Sequence, residues 1–83
     1  MPRYYFDCRD DGQSIRDDEG VELANLDTAK EAAARALAEI ARDVLPHSST
    51  GSLGMDVRNE NDQVLLTTEL TFKSLGGRQI GEP

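Results

Sequence analysis

The chain has no tryptophan, a single cysteine and a single histidine, and aromatic residues make up only 5% of it. Cys8 cannot form an internal disulfide, which fits a reducing compartment. One Cys and one His cannot build a zinc centre of the usual Cys and His ligands. Tyr4, Tyr5, Phe6 and Phe72 are the only aromatics, too few for a broad platform on which bases stack. Long apolar runs are missing too. No stretch approaches the roughly 20 apolar residues of a membrane span, and Met1-Pro2-Arg3-Tyr4 lacks the apolar run of a signal peptide. The expectation is a cytoplasmic protein with no membrane partner.

Basic residues are outnumbered. Nine Lys and Arg stand against sixteen Asp and Glu, for a net charge of -7. Nucleic-acid affinity comes largely from Lys and Arg neutralising phosphates. The basic residues here are scattered, so no nucleic-acid partner is expected. With 83 residues there is room for one domain with one modest core.

What is present divides into five segments. Arg3–Arg9 alternates, with Tyr4, Phe6 and Cys8 on one face and Arg3, Tyr5, Asp7 and Arg9 on the other, as in a half-buried strand. Asp11-Gly12 is a hairpin signal. It sets Cys8 opposite Ile15, Arg9 opposite Ser14 and Asp7 opposite Arg16. Asp17-Asp18-Glu19-Gly20 is a second break, followed by a brief alternation at Val21, Glu22 and Leu23. A helix is predicted over 28–45, capped by Asp27 or Thr28. Its apolar stripe is Ala29, Ala33, Ala36, Leu37, Ile40 and Val44, and Pro46 ends it. Residues 55–59 and 64–72 read as a second hairpin turning at Asn61-Asp62, with Val57 opposite Leu66 and Arg58 opposite Leu65. The predicted fold is α+β: ββαββ, an antiparallel-rich four-stranded sheet with one helix on one face. The domain spans 1–72, and the glycine-containing residues 73–83 read as a flexible tail.

Candidate chemistry is sparse. Asp10, Asp11, Asp17, Asp18 and Glu19 supply hard oxygen ligands of the kind that bind calcium. Their spacing does not match an EF-hand loop, and they read equally as two solvated turns. His47 sits in a serine-rich loop beside Ser48 and Ser49, without an aligned nucleophile and orienting group. Cys8 has inward parity and should behave as a small hydrophobe with a raised pKa. No glycine spacing forms a phosphate loop. No catalytic residue, metal ligand or cofactor is assigned.

One helix covers only one face of a sheet. The other face should carry Tyr5, Leu65, Thr67 and Thr71, flanked by Arg3, Arg58, Asp56 and Glu69. Tyr5, Leu65, Thr67 and Arg58 are therefore the candidate interface residues, for a protein partner or for a second copy in a homodimer. Scattered exposed residues on a monomer are the competing reading.

The opening MPRYYFD, the segment DDEGVEL at 17–23, the alanine-rich helix and the closing VLLTTEL resemble a family of small bacterial proteins catalogued as domain of unknown function 6894. The likeness covers about residues 1–72. It implies a bacterial source and carries over no site residue. The leading functional expectation is a non-enzymatic protein-binding or regulatory module acting through the open sheet face or an edge strand. The alternative is a small metal-binding protein or enzyme built on the acidic loops 10–19 and His47. An acidic antitoxin-like or decoy partner of a basic protein is a third reading.

Overall fold

The computed structural model describes residues 1–76. Strand β1, Arg3–Asp10, turns through Asp11 and Gly12 into β2, Gln13–Ile15. Both turn residues have positive φ, 46° and 91°, as a type I′ turn requires. Cys8 pairs with Ile15, Arg9 with Ser14 and Asp10 with Gln13, the register predicted from the turn. The next predicted pair, Asp7 with Arg16, is not part of this ladder, because β2 stops at Ile15. Asp17 instead turns its side chain into β1. Its carboxylate accepts the Phe6 N–H at 3.0 Å, standing in for a strand carbonyl.

The chain then rejoins the same edge. Val21–Glu22 forms β3, pairing Tyr4 with Val21 and Arg3 with Glu22. The sheet thus has five strands where the sequence pattern predicted four. The brief alternation at Val21, Glu22 and Leu23 is too short to identify a strand, and β3 follows directly on the Asp17 bridge to β1. Between them, the other oxygen of Asp17 accepts the N–H groups of Glu19 and Gly20 at 3.0 and 3.1 Å. Gly20 has φ 69°, and a Cβ there would lie 2.8 Å from the Tyr5 ring. Glycine is needed for both reasons.

Helix α1 runs from Leu26 to Val44 and is capped by Asn25. The Asn25 Oδ1 accepts the Thr28 N–H at 2.9 Å and the Thr28 hydroxyl at 3.0 Å. Neither Asp27 nor Thr28 is the cap. Thr28 is instead the third helical residue, where an N-cap side chain finds its donor. The fully buried line is Ala29, Ala33, Leu37 and Ala41, with Ala36 and Ile40 packed at its margin. Residues at i, i+4 form one ridge, and three alanines on that ridge let the helix lie close to the sheet. A 3-10 turn, Leu45–His47, holds Pro46 and closes the helix.

Strand β4, Thr50–Arg58, pairs with β1 on one side and with β5, Val64–Lys73, on the other. The order is β2-β1-β4-β5, with β3 also on the outer edge of β1. The helix rests mainly on β4 and β5. Leu53, Met55 and Val57 of β4 are buried beneath it, together with Tyr4 of β1. Fully burying Leu53 and Val57 stabilises the fold by roughly 1.5–3 kcal/mol each. Val57 pairs with Leu66 as predicted, but a bulge follows and Arg58 pairs with Val64, not Leu65. The Asn59 Oδ1 accepts the N–H groups of Asn61 and Gln63 and so shapes the connecting turn. Lys73 completes β5, and the Ser74 N–H donates to the Ser49 carbonyl. Residues 77–83 of the predicted tail lie outside the described residues. Among the described residues, no helix is long and apolar enough to cross a membrane.

Candidate functional site

The helix-free face is organised around Arg58. Its Nε donates to the Asp7 carboxylate at 2.7 Å, its Nη1 to Asp62 at 3.0 Å and its Nη2 to the Asp17 carbonyl at 2.7 Å. The guanidinium lies 4.6 Å from the centre of the Tyr5 ring, within cation–π range. Arg16 donates to the same Asp62 oxygen at 2.8 Å, and Asp7 also accepts the Asp17 N–H at 2.9 Å. With all these partners Arg58 is only 6% exposed.

The network sets the charge states. Burial alone would raise the Asp7 carboxyl. The hydrogen bonds from Arg58 and the Asp17 N–H, with the charges of Arg58 and Arg16, outweigh it and hold the group below the ordinary carboxylate range. Asp17 behaves alike: burial raises it, but the N–H groups of Phe6, Gly20 and Glu19 and the Arg58 charge bring it below the usual value. The Asp7 hydrogen bond, opposed by burial and aided by Asp7, Asp62 and Asp17 charges, moves Arg58 further up.

A second cluster lies toward the β1–β2 turn. The Arg9 guanidinium lies flat on β4, occupying the space a Cβ on Gly54 would need; that Cβ would sit 2.7 Å from Nη2. Arg9 reaches Asp56 at 3.2 Å and Glu69 at 3.8 Å, and the Thr67 hydroxyl donates to Asp56 at 2.8 Å. Beside it is a shallow depression lined by Arg9, Asp11, Gly12, Ser14, Ser52 and Gly54.

Of the four candidate interface residues, the structure brings Tyr5 and Arg58 together in the first cluster. Thr67 joins the second, and Leu65 lies at the bulge, 38% exposed. Alternation missed Asp17 and Asp62, because both sit in turns. The sequence marked them only as an acidic-loop residue and a turn residue, with no sign that both would meet Arg58. In the acidic loops, Asp17 is engaged as described, and Asp11 accepts the Ser52 N–H at 2.9 Å. Among the described residues no three His, Cys, Asp or Glu are grouped so as to hold a metal ion. His47 is exposed in the 3-10 turn. Burial pushes the half-buried Cys8 thiol up, as does Asp10, against the opposing charge of Arg9.

The sheet also has two unlike margins. On the β1 side the edge is covered piecemeal by β2, the Asp17 side chain and β3. On the other side β5 presents ten residues, with no strand beyond it among the described residues. The Ser74 N–H donates to the carbonyl of Ser49, the residue before β4, and inward and outward groups alternate along an antiparallel strand. Thr67, Glu69, Thr71 and Lys73 therefore direct their N–H and C=O groups away from β4.

No curated protein and no solved structure matches the chain. The sequence model of a domain of unknown function (DUF6894) matches residues 3–71. That match spans the chain from the start of β1 nearly to the end of β5, and the chain belongs to this family.

Proposed function

We propose that the protein is a non-enzymatic binding module that takes an extended protein segment onto the outer edge of β5. One contrast carries this reading. On the open face the larger side chains are engaged with one another: Arg58 with Asp7, Asp62 and Tyr5, and Arg9 with Asp56 and Glu69. The β5 edge instead offers a run of backbone donors and acceptors with no strand paired to it among the described residues. Adding a strand to such an edge gives affinity through main-chain hydrogen bonds, and the flanking side chains supply selectivity.

Photo-crosslinking in the source cells tests this. A photoreactive side chain at Thr71 is expected to capture protein, whereas the same group at Ser14, beside the Arg9 cluster, or at Ala34 on the exposed face of α1 is not. Adducts from Ser14 without adducts from Thr71 would move the site to the open face.

A further inference from the structure

We propose that the segment received by the β5 edge is β5 of a second copy of this chain, paired antiparallel about a two-fold axis at Thr71. The inference rests on the edge reading above and names its partner. A two-fold axis normal to the sheet pairs residues equally spaced on either side of the axis residue, with their side chains on the same face. Like charges directly opposite one another are unfavourable and opposite charges favourable. An axis at Glu69 would set Glu69 against its own copy. An axis at Thr68 or Leu70 would leave Glu69 opposite a threonine.

An axis at Thr71 places Glu69 opposite Lys73 twice, and Leu70 opposite Phe72 twice. Lys73 is exposed and makes no ion pair among the described residues, and Glu69 has only the 3.8 Å contact with Arg9. Leu70 and Phe72 already pack against the core beneath the helix, so the two pairs would extend that apolar layer across the junction. The backbone agrees with this register. Glu69, Thr71 and Lys73 are outward-directed residues, so each meets another outward-directed residue and the hydrogen bonds close. Charged residues on an edge strand ordinarily repel other strands. Here the same two charges would reject a foreign apolar strand and admit a copy of this one.

Sedimentation of the full chain tests the pairing, with four variants beside the wild type. The wild type is expected to dimerise in the micromolar range. Glu69→Lys or Lys73→Glu alone should weaken the dimer about tenfold, since each reversal acts at two symmetric pairs. The double variant Glu69→Lys/Lys73→Glu should recover most of that loss. Thr71→Cys in a Cys8→Ala background should form a symmetric disulfide on mild oxidation, because directly opposed strand residues lie within disulfide reach. A wild type that stays monomeric at about 100 μM, where a micromolar interface is well populated, overturns the self-pairing. The edge reading then stands or falls separately, on whether Thr71 crosslinks to another protein. A dimer that resists both reversals and yields no Thr71→Cys disulfide overturns the pairing too. Single-variant losses without recovery in the double variant overturn the Thr71 register.

Discussion

Asp17 shows how one side chain can decide a local path. It accepts the N–H groups of Phe6, Glu19 and Gly20, and without it the β1 edge would be bare between β2 and β3. Asp17→Ala should cost about 1–3 kcal/mol, since it leaves two part-buried N–H groups, those of Phe6 and Gly20, without their acceptor, measured by urea unfolding. Asp7 and Asp17 also predict the pH dependence. Both carboxyls are held below their unfolded values, near 3.9. Their contribution is therefore complete above about pH 5 and is lost as the pH falls through the lowered folded values. Asp7→Asn should be less stable than the wild type at pH 7, and the gap should close on acidification below about pH 4. A gap that stays constant down to pH 2 would show that Asp7 does not act through its charge. Gly20→Ala should cost more than about 1 kcal/mol, since the new Cβ meets the Tyr5 ring in a left-handed conformation.

At the scale of elements, helix α1 carries a sharp internal comparison. Leu37 is 3% exposed, whereas Ile40 lies at the margin of the core. Leu37→Ala should cost about 2–5 kcal/mol, as other buried leucine truncations do, and Ile40→Ala clearly less. Ala34→Ser, on the exposed face, should stay within about 0.5 kcal/mol. Equal losses at 37 and 40 would mean that the helix is rotated from the position described. Asn25→Ala should lower stability by about 1 kcal/mol through loss of the cap, an effect that substitution of Asp27 should not reproduce. The periodicity of α1 was legible because alanine and leucine recur at helical spacing. Its true start was not, since Asn25, Asp27 and Thr28 are all competent caps in isolation. Only the Asn25–Thr28 bond decides among them.

Taken whole, the molecule is acidic, and four of its seven arginines are engaged with carboxylates. Arg58, Arg9, Arg16 and Arg3 each have a carboxylate within 4.0 Å. Arginines so paired are poorly placed to neutralise phosphates. With a net charge of -7, the protein is predicted to show no salt-sensitive binding to DNA or RNA. Fluorescence anisotropy with labelled single-stranded and duplex oligonucleotides is the check. Micromolar affinity at physiological salt that weakens steeply with added salt would refute it.

The sequence by itself determined the parts whose cause is local. The Asp11-Gly12 turn and its register follow from two residues that accept positive φ. The helix follows from spacing along one stretch of chain, and the presence of the hairpin strands from alternation, although β4 begins at Thr50, ahead of the predicted residue 55, where glycine and serine interrupt the apolar pattern. The α+β class follows from putting these together. The tertiary structure decided what depends on groups far apart in the chain. Strand β3 exists because Asp17 reaches Phe6, eleven residues away. The β5 register shifts at Arg58, where the chain meets Asp7 from across the sheet. Tyr5 and Arg58 share the face that alternation predicted. Their role there was set by Asp7, Asp17 and Asp62 converging on one guanidinium. Side-chain pairing of that kind is fixed by the packed geometry of two strands and two turns, and no periodicity within a single segment encodes it.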